Sequence, residues 1–339
     1  MFDPIPDITP FLPSVDQIVE LTKWVLILSV VSAPICFLIV GHILFTIHMK
    51  RTSKEKWSRE CSVDEPIQLA MYAEGLDWSR RCESAKRPLH LINDGLNLYS
   101  EYYDFGYDRA VIVVPGRTEG LRYGYYFARP YEKSGYNVLV IDQRAHGESD
   151  GDYNTIGFEE HRDVIAWAML LHDHFGVRSV LLHGICIGAS CALFAITAKN
   201  CPDYIDGLVV EGMYPTFYDS FKNHVIERKK PTFPTMQFVN MWMKLYTGHT
   251  MKYGPIHVIG QLNKPILMLH SKEDAYSLPN KALELYEMCP GTEKELVWFE
   301  HGAHSQLRYT DADRYDGAIE AFILRCFPKE LPAIAEVTQ

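Results

Sequence analysis

The sequence of 339 residues predicts an α/β fold, with a mostly parallel twisted sheet flanked by helices, a small helical cap and an N-terminal transmembrane helix. Three observations support this prediction. Short β-rich runs alternate with longer amphipathic stretches from Leu89 onward, as expected for parallel strands joined by helices. A glycine-flanked cysteine, Cys186, stands between an apolar run and a small-residue run. Near the N-terminus, 26 consecutive residues carry no charge, and about 20 apolar residues suffice to cross a membrane.

The N-terminal part divides into a first segment, residues 1–23, and a transmembrane helix, residues 24–49. A cleavable signal peptide is the alternative, but its basic N-terminal region is missing and Lys50 and Arg51 follow directly. Acidic residues dominate before the helix and basic residues after it. The positive-inside rule therefore predicts a single-pass membrane protein with its catalytic domain in the cytosol.

Residues 50–88 are rich in charge and are expected to form a juxtamembrane connector with one helix around Ile67–Tyr72. The main domain is predicted at residues 89–328, and residues 329–339 are expected to be a loose tail. Its first element is an antiparallel hairpin over Leu89–Tyr103, turning at Asn93-Asp94-Gly95. Six further strands are predicted at Ala110–Val114, Asn137–Ile141, Ser179–His183, Gly207–Glu211, Pro265–His270 and Glu295–Glu300.

The alternation of strands and helices stops at residues 214–261, which are dense in aromatic residues and methionine. We interpret this segment as a cap over the carboxyl ends of the parallel strands, where sheets of this kind place their functional sites. Each of these apolar residues, taken singly, is more often a packing residue that holds a cap to the body. Together they predict an apolar pocket.

Composition excludes two classes of site. A net charge of -10 without a clustered basic face argues against a nucleic-acid partner. The eight cysteines are scattered without the spacing of metal ligands or of a disulfide framework, so we expect reduced thiols and no metal.

The pattern Gly184-Ile185-Cys186-Ile187-Gly188 predicts a sharp strand-to-helix turn that presents Cys186 to a pocket. The N-terminus of the following helix favours a thiolate over a thiol. A buried cysteine that serves only as a small hydrophobic residue is the alternative.

A nucleophile of this kind needs a histidine base and an acid that orients it, in the chain order nucleophile, acid, histidine. Asp274 follows one predicted strand and His304 follows the last one. Glu273 and His301 are the alternative acid and base, for which surface solvation and loop hydrogen bonding are the commoner roles. We expect Cys186, Asp274 and His304 to form a catalytic triad.

Two backbone N–H groups are needed to stabilise the oxyanion. Ile187 follows the nucleophile and supplies the first, and Arg117, in the loop 115–120 after a strand, is expected to supply the second. The Arg117 side chain either meets an anionic head group or is simply solvated.

With these residues assembled, the chain resembles the α/β-hydrolase superfamily, and within it the serine aminopeptidase S33, lysophospholipase and Bem46-like hydrolases. The resemblance implies ester hydrolysis, often of lipids and less often of amides, through an acyl-enzyme and without a cofactor. It also implies that Asp142, Arg144 and His146 are structural. The matching stretches are Asn93-Asp94-Gly95, Pro115-Gly116-Arg117, residues 142–149, the turn at Cys186, residues 269–274 and residues 302–305.

The chain departs from this family in having cysteine where the family has serine, and Pro115 where a histidine often begins the oxyanion motif. The sequence hypothesis is a membrane-anchored, lipase- or esterase-like acyl hydrolase that forms a thioacyl-enzyme on a lipid or other acyl ester. Thioester and peptide substrates stay open. The alternatives are a catalytically silent fold that binds a lipid or protein partner at the membrane, and a serine-to-cysteine change made to trap a complex.

Overall fold

The computed structural model describes residues 13–52, 57 and 66–328. Within them, eight strands form one sheet in the order β1-β2-β4-β3-β5-β6-β7-β8, in which β2 is antiparallel to both of its neighbours, β1 and β4, and all other neighbouring strands are parallel. The strands are β1 Lys86–Asn93, β2 Leu96–Tyr103, β3 Arg109–Val114, β4 Asn137–Ile141, β5 Ser179–Ile185, β6 Ile205–Glu211, β7 Ile266–Ser271 and β8 Lys294–Phe299. All six strands predicted after the hairpin are confirmed to within about two residues at each end.

Helices cover both faces of the sheet. Successive side chains of a strand therefore point in turn into two different hydrophobic cores, one on each face. In β3, for example, Ile112 faces one core and Val111 and Val113 face the other. The helices are α1 Val15–Met49, α2 Pro66–Arg81, α3 Leu121–Tyr125, α4 Arg129–Lys133, α5 Glu160–Phe175, α6 Ile187–Ile196, α7 Phe217–Glu227, α8 Thr235–Thr247, α9 Pro279–Met288, α10 Leu307–Thr310 and α11 Ala312–Cys326.

The predicted hairpin is present at one edge of the sheet. Its turn consists of Asp94 and Gly95, which both have positive φ angles, of 48° and 77°. A two-residue turn of this kind matches the twist of antiparallel strands, and aspartate followed by glycine tolerates it best.

The N-terminal helix is longer than predicted. Instead of residues 24–49, α1 covers Val15–Met49, because Ser14 and Gln17 form a capping box that starts it earlier. Its length and composition allow it to span a membrane, and most of its apolar side chains are exposed. Three of the basic residues behind the orientation prediction, Lys54, Lys56 and Arg59, lie outside the described residues, as does the expected tail at 329–339.

Residues 66–88 belong to the packed body and are not a free connector. The predicted short helix is in fact α2, which runs to Arg81, and its buried Trp78 packs against Tyr103 with ring centroids 4.5 Å apart. Charge in the sequence hid this burial, since the charged residues occupy the outer face of α2.

The end of α1 also docks directly on the body. Lys50 forms a β-bridge with Tyr153, and the Arg51 guanidinium donates to the carbonyl oxygens of Gly147 (2.6 Å) and Ser149 (2.5 Å). The end of α1 is therefore attached next to the loop that follows β4.

The segment predicted as a cap holds α7, α8 and two short 3-10 helices, Pro255–His257 and Ile259–Gln261, between β6 and β7. Met236, Val239 and Met243 are buried on one side of α8. A different side of α8 packs against the C-terminal half of α1, a contact that the sequence did not predict.

Candidate active site

The turn between β5 and α6 holds Cys186 in a strained backbone conformation, with φ 56° and ψ -113°. A β-carbon on Gly184 would lie 2.3 Å from the carbonyl oxygen of Gly188, and one on Gly188 would lie 2.0 Å from that of Val114. Both positions therefore require glycine. Non-glycine residues keep such φ angles only where the surroundings enforce them, and these cases concentrate at functional sites.

Asp274 follows β7 and His304 follows β8, so the order of the strands brings them to the same end of the sheet as Cys186. The Nδ1 atom of His304 lies 2.7 Å from Oδ2 of Asp274. Oδ1 of Asp274 accepts the backbone N–H groups of Tyr276 and Ser277, each at 2.8 Å. The carboxylate is thereby oriented towards the imidazole, and it favours the tautomer that carries its proton on Nδ1.

Burial and the mutual attraction of His304 and Asp274 act in opposite directions on the pKa of each group. Burial of the His304 ring by itself lowers the pKa, but the Asp274 carboxylate and the Cys186 thiol group together raise the pKa well above its usual value. Burial of Asp274 raises the pKa of its carboxyl, and the nearby His304 more than offsets this, so the pKa ends below its usual value. Among the described residues, no side chain or backbone group forms a hydrogen bond of good geometry with His304 Nε2. Cys186 is nevertheless close enough to raise the pKa of the ring.

The alternative acid and base lie elsewhere. His301 and Glu273 pair with each other at 3.0 Å on the surface, and their side chains are 78% and 57% exposed. Neither of them lines the pocket beside Cys186. The structure thus brings together Cys186, Asp274 and His304.

The two predicted oxyanion donors also border Cys186. Ile187 begins α6, so its N–H group has no acceptor within the helix. Arg117 lines the pocket, and its guanidinium donates to the carbonyl oxygen of His48 in the last turn of α1 (3.4 Å). Its side chain is therefore engaged with the protein and not simply solvated.

Glu119 is a pocket residue that the sequence analysis missed. Its Oε2 accepts the N–H group of Gly116 at 3.1 Å, and the side chain is largely buried. A glutamate in a turn is ordinary, so no sequence signal marked it. The structure thus adds a carboxylate to the loop that is expected to stabilise an anion.

Residues 142–149, which the family resemblance implies are structural, form hydrogen bonds with the loop 115–120 and its neighbour Leu121. Burial lowers the pKa of His146 to about 4, so its neutral ring can accept a hydrogen bond. Three hydrogen bonds connect the two loops: Gln143 Nε2 to Pro115 O (2.6 Å), Leu121 N–H to Asp142 Oδ1 (2.9 Å) and Thr118 N–H to His146 Nε2 (3.1 Å).

The pocket in front of Cys186 has a volume of about 150 Å³. Phe217 and Phe221 of α7 supply apolar surface, and His224 and Tyr276 add polar groups. Burial and the nearby Arg228 lower the pKa of His224 to about 4, which keeps this ring neutral near pH 7. Among the described residues, no group of three or more His, Cys, Asp or Glu is arranged to hold a metal ion.

A family model described as "alpha/beta hydrolase fold" matches residues 109–244, which include the loop 115–120, the turn at Cys186 and most of the segment predicted as a cap. This chain has the α/β-hydrolase fold. A solved structure of the esterase Pf2001 from Pyrococcus furiosus shares the hydrolase fold with a TM-score of 0.61 and 21% identity, over 73% of this chain and 94% of that one. Both matches concern the fold of this chain.

Two relatives of this chain are uncharacterized proteins. The uncharacterized protein YqkD of Bacillus subtilis is 27% identical over 216 residues, which are 63% of this chain and 70% of that protein. The uncharacterized membrane protein YNL320W of Saccharomyces cerevisiae is 22% identical over 179 residues, 52% of this chain and 57% of the yeast protein. Neither name assigns an activity.

Proposed function

We propose that this hydrolase-fold protein is a membrane-anchored carboxylic ester hydrolase that acts through Cys186, His304 and Asp274. The observation that carries the proposal is the His304–Asp274 hydrogen bond of 2.7 Å, next to a strained cysteine that faces a pocket. The esterase-like fold agrees with this reaction class. Cysteine nucleophiles paired with histidine are an established route to acyl transfer.

The proposed reaction has two halves. In the first, Sγ of Cys186 attacks the ester carbonyl carbon while His304 Nε2 takes the thiol proton, and the carbonyl electron pair moves onto oxygen. The N–H groups of Ile187 and Arg117 stabilise this oxyanion. The tetrahedral intermediate collapses to a thioester as the alkoxide leaves with the proton from His304.

In the second half, a water molecule attacks the thioester carbon and His304 takes its proton. The carbon–sulfur bond then breaks, the acid leaves, and Cys186 regains its proton from His304. Asp274 stabilises the imidazolium in both halves and stays ionised throughout. The apolar side chains Phe217 and Phe221 favour an acyl chain in the pocket.

A specific observation favours the second candidate, a catalytically silent fold that binds a lipid or protein partner at the membrane. Oε2 of Glu119 accepts the N–H group of Gly116 within the loop that also carries Arg117. An ionised carboxylate at this position would oppose a developing oxyanion. The two candidates differ in whether Cys186 becomes acylated.

The test uses the full chain in phospholipid nanodiscs with p-nitrophenyl esters of short and long acids. We expect hydrolysis by the parent, loss of it in Cys186→Ala, and an acyl adduct on Cys186 by mass spectrometry in Asp274→Asn. Cys326→Ala, which changes a partly buried cysteine far from the pocket, is the matched control. Equal rates for parent and Cys186→Ala would rule out the enzymatic proposal. Activity gained only in Cys186→Ser would favour the silent fold or an introduced cysteine.

We further propose that α1 spans the membrane once, with the hydrolase domain in the cytosol. One N-terminal helix has the required length and composition, and the yeast relative is named a membrane protein. Protease added to sealed vesicles of known sidedness tests the orientation. Digestion of the domain only from the cytosolic face is the expected result, and protection from that face contradicts it.

A further inference from the structure

We propose that α8, the end of α7 and the loop between them form a surface that lies on the bilayer spanned by α1 and prefers anionic lipid. This α8 surface consists of Ile226, residues 228–230, Phe233, Met241 and Leu245. The inference assumes that α1 spans the membrane. Its statement about substrate delivery rests in addition on the proposed function.

The first observation is how closely α8 is joined to α1. The indole N–H of Trp242 donates to the carbonyl oxygen of Leu38 at 2.9 Å, and His42 Nε2 lies 3.1 Å from the Tyr246 hydroxyl. A β-carbon on Gly41 would lie 2.5 Å from the β-carbon of Phe238, so glycine allows the two helices to touch. All α1 residues in these contacts belong to the charge-free residues 24–49. If these residues span the membrane, α8 must lie next to it.

The depth of the contact follows from helix geometry. A hydrocarbon core takes about 20 helical residues, so a span that starts at Trp24 ends near Ile43. The contacts with α8 begin at Phe37, whose ring stacks on Phe238, and continue to Phe45, which stacks on Tyr246. The two helices thus run roughly parallel across the boundary of the hydrocarbon core. Tryptophan and tyrosine are enriched at this depth.

The second observation is the character of the outer side chains. Phe233 is 75% exposed, Leu245 68% and Ile226 53%. Single exposed apolar residues are ordinary, but these adjoin a helix that belongs in lipid. Between Ile226 and Phe233 stand three consecutive exposed cations, Arg228, Lys229 and Lys230, in a chain with a net charge of -10. Apolar side chains next to cations are typical of segments that bind anionic membrane surfaces.

The α8 surface also adjoins the mouth of the pocket. Phe221 and His224 of α7 line the pocket, and Arg228, at the end of the same helix, is one turn beyond His224. The His48 ring at the end of α1 lies 4.8 Å from the Phe221 ring. A lipid ester that leaves the bilayer beside α1 would therefore reach Cys186 without crossing bulk water.

Photocrosslinking of the full chain in vesicles tests the surface without relying on activity. p-Benzoylphenylalanine is placed at Phe233 or Leu245, and at Ile92 or Leu324 as equally exposed controls on other faces of the body. In phosphatidylcholine vesicles containing phosphatidylserine, we expect lipid adducts at Phe233 and Leu245 well above those at the controls. Adduct yields equal to the controls, or adducts to a second copy of the chain in place of lipid, would overturn the proposal.

Charge reversal tests the preference for anionic lipid. In Lys229→Glu/Lys230→Glu, we expect the lipid adduct at Phe233 to fall by about fivefold or more with phosphatidylserine present, and to change little in pure phosphatidylcholine. An equal yield in both vesicle types would contradict the preference. Hydrolysis of a vesicle-embedded ester should fall in parallel, while that of soluble p-nitrophenyl acetate stays at the parent rate. Lipid adducts from a protein without esterase activity would uphold the surface and refute only the proposed function.

Discussion

The Nδ1 atom of His304 and the Oδ2 atom of Asp274 are 2.7 Å apart, although thirty residues separate them in the chain. Each belongs to a loop that follows a strand, β7 for the acid and β8 for the histidine, and these strands are neighbours at one edge of the sheet. Adjacent parallel strands end on the same side, so the sheet itself brings the pair together. The contact raises the pKa of His304 and lowers the pKa of Asp274.

The first prediction concerns this protonation. In Asp274→Asn, the largest remaining influence on the His304 ring is burial, so we expect the pKa of His304 to fall. Histidine NMR of the labelled full chain measures the shift directly. Hydrolysis should fall by roughly 10³- to 10⁴-fold, because the amide no longer holds the required tautomer or stabilises the imidazolium.

Glu273→Gln is the matched control for Asp274→Asn, since it changes the adjacent residue and alters only exposed contacts, the pair with His301 and the hydrogen bond from the Gly302 N–H group. We expect it to leave both the His304 titration and hydrolysis at parent values. If Glu273→Gln reduced hydrolysis as much as Asp274→Asn does, the assignment of Asp274 as the acid would be wrong.

The second prediction concerns strain at Cys186, whose φ of 56° disfavours any side chain with a β-carbon. Cys186→Gly relieves this strain and Cys186→Ala retains it. We therefore expect Cys186→Gly to be more stable than Cys186→Ala by about 1 kcal/mol, with both inactive. Thermal unfolding of the two variants in the same detergent gives the comparison. A more stable alanine variant would mean that the turn relaxes at no cost when the cysteine is removed.

The third prediction concerns Gly188, two residues after Cys186. In Gly188→Ala, the new methyl group meets the Val114 carbonyl oxygen at 2.0 Å, so β3 and α6 must separate. We expect lower expression, a lower melting temperature and no hydrolysis.

Gly317→Ala is the control for Gly188→Ala, because Gly317 lies inside α11 with no atom within 4 Å of an added β-carbon. Alanine there should stabilise the protein by up to about 1 kcal/mol. Similar destabilisation by both alanine substitutions would show that the clash at Gly188 is not the cause.

The sequence predicted the sheet, and the proximity of Cys186, Asp274 and His304, because the signals for both are local. Cys186 lies between two glycines, and Asp274 and His304 each follow a β-rich run. Strand alternation then implies a common sheet edge, even though the residues are far apart in the chain. A nucleophile, an acid and a histidine in the order typical of this fold leave few other arrangements.

Long-range packing explains what the sequence did not predict. Nothing near Trp78 indicates that it reaches Tyr103, so α2 resembled a charged connector. Likewise, the contact of α8 with α1 depends on Gly41, whose role is visible only when Phe238 is placed against it. Glu119 was missed because its partner, the N–H group of Gly116, is a backbone atom that every residue except proline carries.

The last prediction concerns Glu211, a fully buried carboxyl at the end of β6. It accepts the N–H group of Leu307 at 3.1 Å and the Tyr315 hydroxyl at 2.8 Å, so it supports the loop that carries His304. Burial raises the pKa of Glu211 from 4.5 to about 7. Between these values the folded state binds more protons than the unfolded state, and stability therefore falls as the pH rises.

This loss amounts to about 3 kcal/mol between pH 4.5 and 7, and it is complete above the folded pKa. Glu211→Gln keeps an acceptor for Leu307 and cannot ionise. We expect its melting temperature to rise relative to the parent by several degrees as the pH increases from 5 to 8. Glu284→Gln, which alters an exposed glutamate paired with Lys281, should follow the parent at every pH. A Glu211→Gln profile that also follows the parent would mean that Glu211 stays ionised in the folded protein across this range.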